Sequence, residues 1–395
     1  MDYMVFKDMV EKNDMKILFV TYSRSMFGAN LCMVNLIMDL KQRYQVDSFV
    51  LMSDVEDGNL SEVLQEKGVP YSICPMKHWV ISQDKSLQYL RGLSTWLKNN
   101  HNIRNIKKKI NLKDVDLVYT NSSTVQTGAY LAYQAKKPHI WHIREFGKLH
   151  YHIVFSYPDR IVNKWFRRAD RVITVSKSLA EYVGSNYGKG ANIRTIYDGV
   201  LDDTILEDKE FEKKPLYHFC CVGVLQSGKN QMELLEAAKI MKESSEKRFH
   251  IDLIGDGTGY KEELQKYVAD NSLQEYVTFW GHRNDVPELL KSMDVGVICS
   301  KSEAFGRVTC EYMAASMPVI GTREGGTAEI VVENENGFLY QPGSASELAD
   351  YMRQLIEHPD LIEEYGKNAK EHVVQNYTIR KNTDEIYKVI KQIQE

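Results

Sequence analysis

The sequence predicts an α/β chain folded as two doubly wound units, each with a mainly parallel sheet. Short β-branched runs alternate with amphipathic stretches from Met15 onward, the pattern in which strands are joined by crossover helices. The alternation falls into two series separated by a charged segment. At 395 residues and 43% hydrophobic, the chain is also longer than one ordinary core accommodates.

In the first series strands are expected near 16–22, 46–51, 116–120, 138–143, 171–175 and 193–197, with helices over 29–43, 123–135 and 177–187. The residues before Met15, 1–14, read as a frayed leader or as the result of an early start codon. Between the series, Asp202 to Pro215 is charged and core-poor, carrying Asp202, Asp203, Glu207, Asp208, Lys209, Glu210, Glu212, Lys213 and Lys214. The boundary belongs there, giving domains over 1–200 and 215–378. The second series runs His218–Gly223, His250–Gly255, Val277–Trp280, Asp294–Cys299 and Pro318–Gly321. Two Rossmann-like units of this kind take ligands at the carboxyl ends of their strands, facing a central cleft.

Composition excludes several classes. A formal net charge of -4 and a pI near 6.3 supply no global positive field, so no nucleic-acid partner is expected. Cys32, Cys74, Cys220, Cys221, Cys299 and Cys310 lack metal-ligand spacing and mostly sit in apolar stretches, as small buried hydrophobes in a reducing cytoplasm do. No stretch approaches the roughly 18 apolar residues of a membrane span, and the first residues lack a signal-peptide pattern. A cytoplasmic protein, soluble or peripheral at the inner face of the membrane, is expected.

The most informative segment is Ser302-Glu-Ala-Phe-Gly-Arg-Val-Thr-Cys-Glu311, which follows the apolar strand run Asp294–Cys299. Helical spacing is read from Phe305, so Glu303 falls in the loop and Glu311 on the helix. Amides of the first turn, near Gly306, Arg307, Val308 and Thr309, can receive a phosphate at the positive end of the helix dipole. Glu311 is placed to accept hydrogen bonds from a ribose, and Glu303 faces whatever a diphosphate carries.

Several segments appear in a defined order: Val222-Gly-Val-Leu-Gln-Ser-Gly-Lys229-Asn, Leu253-Ile-Gly-Asp-Gly257, Val277-Thr-Phe-Trp-Gly281, Ser300 through Glu311, and Gly325-Gly-Thr-Ala-Glu329. Taken together they resemble the retaining glycosyltransferases of family 4, over nearly the whole chain. That resemblance implies the GT-B fold, a nucleoside-diphosphate sugar as donor substrate, and transfer with retention. It implies Lys229 on the donor diphosphate, Glu311 on the ribose, Glu303 on the transferred sugar, and the region after Trp280 along the base. Gly223, Gly281, Arg283 and Phe305 join the donor side. A C-terminal helix, about Ile379 to Gln394 within 379–395, is expected to cross back onto the first domain.

The chain departs from the family at defined places. Val224 stands where an arginine usually precedes the lysine by five residues, removing a charge-assisted hydrogen bond of roughly 1.5 to 3 kcal/mol. Arg307 or Arg283 is expected to compensate. On the acceptor side the family usually has two glycines, and here Gly28 is followed by Ala29. His142 and Arg144 share one face of the strand from Pro138, and alignment puts Arg144 at the family's histidine, with Glu145 as the acid. Asp198-Gly199 replaces the usual Asn-Gly turn.

Other motifs carry less. Gly255-Asp-Gly257-Thr-Gly259 is a tight turn whose spacing is not that of a nicotinamide site. Asp114 and Asp116 precede a strand, away from its ligand end, and read as surface aspartates, so catalysis without a metal or cofactor is expected.

For the acceptor, Ser86 to Ile110 reads as a helix with Leu90, Leu93, Leu97, Ile103, Ile106 and Ile110 on one side and Lys98, Arg104, Lys107, Lys108 and Lys109 among the rest. It suits an anionic membrane, or else a core face with a solvated basic side. Phe146 to Arg168, with Tyr151, Phe155, Tyr157, Trp165, Phe166, Arg167 and Arg168, offers sugar-stacking surfaces or core aromatics. A polyprenyl-linked or saccharide acceptor, in cell-surface polysaccharide or glycolipid synthesis, is the expectation. A non-catalytic nucleotide-sugar binding subunit and a GT-B epimerase or hydrolase are the rival readings.

Overall fold

Ile17, Leu18, Phe19 and Val20 are fully buried, because a parallel strand inside a sheet is covered on both faces. In the computed structural model, which describes residues 15–54, 58–82, 88–147, 153–202, 209, 211–244 and 248–395, this run forms β1 (Lys16–Thr21). The leader 1–14, Ser86, Tyr151 and linker residues Asp203, Glu207, Asp208 and Glu210 lie outside the described residues, as do the side chains of Leu90 and Leu93.

The first unit comprises residues up to Gly199 together with Ile379–Glu395. Its strands are β1, β2 (Asp47–Ser53), β3 (Tyr71–Cys74), β4 (Val80–Ser82), β5 (Leu117–Asn121), β6 (His139–Ile143), β7 (Ile153–Phe155), β8 (Arg171–Thr174) and β9 (Ile193–Thr195). Its helices are α1 (Gly28–Tyr44), α2 (Leu60–Glu66), α3 (Gln88–Lys109), α4 (Thr127–Ala135), α5 (Asp159–Arg168) and α6 (Lys177–Asn186). The main sheet is parallel in the order β3-β2-β1-β5-β6-β8-β9, so its order reverses between β1 and β5. Such a switch point leaves a crevice at the carboxyl ends of those two strands. A separate antiparallel pair joins β4 to β7.

The second unit is Val200–Thr378. It holds β10 (Tyr217–Val222), β11 (Phe249–Ile254), β12 (Val277–Gly281), β13 (Val295–Ile298), β14 (Val319–Thr322) and β15 (Gly337–Tyr340). They form one parallel sheet in the order β12-β11-β10-β13-β14-β15, switching between β10 and β13. The helices are α7 (Gln231–Glu243), α8 (Tyr260–Asp270), α9 (Val286–Leu290), α10 (Arg307–Ala314), α11 (Thr327–Ile330), α12 (Ala345–Glu357) and α13 (Asp360–Asn376).

The last helix, α14 (Ile379–Gln394), belongs to the first unit. Ile386, Val389 and Ile390 enter the same apolar cluster as Met33, Ile37 and Leu40 of α1. Polar contacts rim this seam: Tyr44 donates to Asp384 at 2.6 Å, Arg43 pairs with Asp384, Arg194 with Glu385 at 2.8 Å, and Tyr44 stacks on Tyr387.

The structure decides between the two readings of the basic helix. Ile103, Ile106 and Ile110 of the α3 segment are buried with Leu18, Val118 and Leu131, while Lys98, Arg104, Lys107, Lys108 and Lys109 are exposed. Apart from Leu97, 57% exposed, the described part of the stripe faces the core. Among the described aromatics of Phe146–Arg168, Phe146 and Phe166 are core as well, while Phe155, Tyr157 and Trp165 are half-buried. Phe155 and Phe166 pack with Trp79, Trp141 and Tyr187, and Trp141 stacks on Phe166 at 4.2 Å.

Candidate active site

The site residues fall on both units. In the second unit the four residues of β13 are buried, and Gly296 lets α10 lie against them. A Cβ on Gly296 would stand 2.2 Å from the Tyr312 ring, whose hydroxyl accepts from the Val222 amide at 2.6 Å. Tyr312 therefore pins α10 across the ends of β10 and β13.

The helix begins at Arg307, two residues later than its apolar pattern suggests, because Gly306 takes φ 107° and breaks the helical path. Phe305 is a buried anchor, 4% exposed and edge-on to Tyr377, which corrects its expected place on the donor side. The helix geometry leaves the amides of Arg307, Val308 and Thr309 without intrahelical acceptors, since the first such bond runs from Cys310 to the Gly306 carbonyl. Thr309 is fully buried, its side chain on Thr327, so of the three first-turn residues only Arg307 and Val308 reach the surface.

Glu303 is held by its backbone. Its carbonyl accepts from the Gly326 amide at 2.7 Å, and a Cβ on Gly325 would come within 2.4 Å of that oxygen. A Cβ on Gly326 would sit 2.1 Å from the Phe305 carbonyl oxygen. The paired glycines are the means by which the loop Glu303–Phe305 nests on the start of α11.

Lys229 and Glu303, expected on diphosphate and sugar, form an ion pair with one another. Lys229 lies in a turn closed by its own amide on the Gln226 carbonyl, with α7 starting only at Gln231, so it precedes the helix and does not open it. Glu311 pairs with Arg307 at 3.2 Å, one turn back on α10. Burial pushes the Glu311 carboxyl above the usual carboxylate range, against the opposing pull of Arg307. Arg307, expected to compensate for Val224, is thus engaged on Glu311. Arg283 is held elsewhere: it is paired with Asp285 at 2.6 Å and lies over Trp280.

Gly223 takes φ 147° with nothing near its missing side chain. Gly255 and Gly257 serve the same loop from behind, since Cβ atoms on them would stand 1.9 Å from the Gly223 carbonyl oxygen and 2.1 Å from that of Leu225. The Gly-Asp-Gly turn is a close backbone approach under the β10 loop. Gly281, at φ 68°, ends β12.

In the first unit, β1 leads through a loop to α1, whose first residues are Gly28 and Ala29. Asn30, buried, donates to the carbonyls of Ser23 and Ser25 and accepts from Thr21, which fixes that loop. Asn121, at the end of β5, donates to the Ala29 carbonyl at 3.2 Å and accepts from Arg144.

Arg144 is itself clamped on Asp198, its Nε 3.0 Å from each carboxylate oxygen. Burial opposes the guanidinium charge, yet Asp198 holds it more firmly protonated than usual. His142 faces the same carboxylate at 4.0 Å, as two residues on one strand face should. It is entirely buried, its Nδ1 on the Tyr119 hydroxyl, and burial with the nearby Arg144 keeps it neutral. Glu145 is buried too: one oxygen accepts from Ser122 Oγ, Ser123 N and Ser123 Oγ at 2.6–2.9 Å. That grip holds Ser122 at φ 111°, a conformation its side chain disfavours. The structure therefore places His142 and Glu145 as internal supports, and Arg144 as the link between Asp198 and the α1 start.

Sequence reasoning missed Asn30, Asn121, Gly296 and Tyr312. Only a buried asparagine two residues into a helix, and a glycine inside an apolar strand run, hinted at them. The aspartates Asp114 and Asp116 bond to Asn111 and to the Lys16 amide, and no cluster of metal-ligating residues occurs among the described residues.

Residues 28–203 match the family model described as Glycosyltransferase Family 4, and residues 202–372 match the one described as Glycosyl transferases group 1. An uncharacterised glycosyltransferase of Methanocaldococcus jannaschii is 29% identical over 305 residues, 75% of this chain and 80% of that protein. The N-acetyl-alpha-D-glucosaminyl L-malate synthase of Bacillus anthracis is 28% identical over 234 residues, 56% of this chain and 60% of that protein. Among solved structures, Anabaena HepE in complex with UDP and glucose matches with a TM-score of 0.77 at 22% identity, covering 96% of this chain and 100% of that one. That likeness is one of fold.

Proposed function

We infer, because this chain belongs to glycosyltransferase family 4 and has the GT-B fold, that it moves a hexose-like sugar from a nucleoside diphosphate to an acceptor hydroxyl. One observation carries the reading: the Lys229–Glu303 pair stands in the second unit with α10 starting three residues beyond Phe305's neighbour Ala304, so cation, acid and the start of a helix share one loop system. The leaving diphosphate gathers negative charge as the anomeric bond stretches. Lys229 and the amides of Arg307 and Val308 stabilise that charge more in the transition state than in the ground state. Glu303 then takes hydroxyls of the transferred sugar, and Glu311 those of the ribose. The UDP held by Anabaena HepE supports a uridine nucleotide as the first donor to try.

In this reading retention of anomeric configuration follows from family resemblance, and the acceptor is a polyprenyl-linked or saccharide chain destined for cell-surface polysaccharide or glycolipid. The exposed lysines at the end of α3 support an approach to an anionic membrane by charge, since the buried isoleucines of that helix leave little apolar surface for insertion. No helix among the described residues is long and apolar enough to cross a membrane. The diphosphate charge is met by Lys229 and backbone amides, so the reading uses no metal.

Screening nucleotide sugars for protection against thermal unfolding identifies the donor, and NMR of the product reads its anomeric configuration. Donor consumption with no acceptor-linked product would favour a hydrolase or epimerase. Binding with no turnover on any acceptor would favour a binding subunit, and an inverted product would remove retention.

A further inference from the structure

The first unit carries a second feature that the transfer chemistry does not use, and Lys107 at its margin is one of the α3 lysines named above for the membrane. At the amino end of β6, between α4 and α5 and opposite the strand end that leads to Arg144 and Glu145, there is a cavity of about 510 Å³. It is lined by Tyr133, Lys136, Lys137, Trp165 and Arg168, among others, and its volume is that of a small-molecule site. Beside it, sharing Gln134 and Lys137, lies a second cavity of about 460 Å³ with Lys107 and Lys113 in its wall. Neither is lined by an aspartate or glutamate among the described residues.

The aromatic side chains here differ from the rest of their segment. Phe166 is spent on the core, but Tyr133 is 56% exposed and meets Trp165 edge-on at 5.8 Å. Arg168 lies over both rings, 4.3 Å from Tyr133 and 5.2 Å from Trp165, which fixes its guanidinium at the cavity wall. Lys137 donates to the Lys113 carbonyl, so its ammonium is also placed. His139 at the cavity floor is held neutral by burial, its pKa down to about 3, and Asp170 is turned onto the His139 amide. The charge facing the cavity is therefore that of fixed cations, beside aromatic rings of the kind on which sugar rings stack.

We propose that this face of the first unit is an accessory binding site for an acidic saccharide. Sugar rings lie against Tyr133 and Trp165, and carboxylates or phosphates on the chain meet Arg168, Lys136 and Lys137, with Lys107 and Lys113 continuing the track. A bare anion has no use for exposed aromatic rings, and a flat bilayer meets protruding surfaces, not concave ones. The site goes beyond the transferase reading, and its occupancy is measurable without donor, so the two stand or fall separately.

The test uses the full chain and a short polygalacturonate oligomer, with binding followed by calorimetry and by Trp fluorescence. A neutral maltooligosaccharide, inorganic phosphate and phosphatidylglycerol vesicles serve as comparators. The oligomer is expected to bind more tightly than any comparator. Tyr133→Ala, which removes no charge and alters an exposed residue, should weaken it about fivefold or more, and Arg168→Gln about tenfold. Thermal unfolding of both variants should match the parent. Equal binding by Tyr133→Ala would reduce the effect to diffuse charge and overturn the proposal. So would vesicles or phosphate outcompeting the oligomer.

Discussion

Lys229, from the turn before α7, reaches across to Glu303, from the loop before α10, and the two share one ion pair. Residues that lie far apart in sequence are thereby placed as one unit, and they should fail as one.

Glu303→Gln and Lys229→Met are each expected to lower the rate of sugar transfer about 10²- to 10³-fold, the range for removing one group that stabilises developing charge. The double variant should lose little more than either single one, because partners in one network do not contribute additively. Steady-state kinetics of all three variants decides the matter. Near-parental turnover in either single variant would remove the donor assignment.

Gly326→Ala forces a Cβ to within 2.1 Å of the Phe305 carbonyl oxygen, a backbone atom with no freedom to yield. Destabilisation of about 1–3 kcal/mol is expected, with turnover falling as the Glu303 loop is displaced. Gly184→Ala, within α6 and with only an ordinary contact to Ile193, should instead be neutral or stabilising by about 0.5–1 kcal/mol. Denaturant unfolding of the pair measures both.

Glu311→Gln should raise thermal stability near neutral pH. Burial lifts the carboxyl's pKa in the folded state above its unfolded value, so the folded form binds the proton more tightly. The stabilisation from that proton is fully present below the unfolded pKa and lost as pH rises through the folded one. Unfolding temperatures of parent and variant should converge in acid and separate toward neutrality, while donor protection weakens in the variant. A less stable variant at neutral pH would contradict the sign.

His218 donates to Asp252 at 2.8 Å, and that hydrogen bond, opposed by partial burial, raises the imidazole above its ordinary 6.5. Stability from this contact is fully present below the unfolded pKa and lost as pH rises through the raised folded value. Thermal unfolding followed upward from pH 6.5 should fall more steeply for the parent than for His218→Gln. Parallel curves would assign the pH dependence elsewhere.

What could be read from sequence follows from how each element earns its burial. The strands β1, β5 and β13 are covered on both faces, so their residues form runs that stand out without knowledge of the partner. The three-residue strands β4 and β7 pair with each other across a long separation in sequence, and nothing local marks them. The start of α10 was misplaced because Phe305 fits the helical apolar period, although it is buried from a loop that Gly306 turns. The acids Glu303 and Glu311 were visible as a pair in sequence. Their cationic partners were not, since the Lys229 contact depends on tertiary structure, and the Arg307 contact competes with the phosphate role that its position suggested.

Helix α14 is the final piece of a unit whose other residues are made first. Ile386, Val389 and Ile390 seal apolar side chains of α1 that emerge from the ribosome hundreds of residues earlier. Throughout synthesis of the second unit, that oily strip on the nascent first unit has no native cover. A nonsense codon just after Thr378 would leave the second unit's residues complete and that apolar strip of the first without its cover, prone to aggregate.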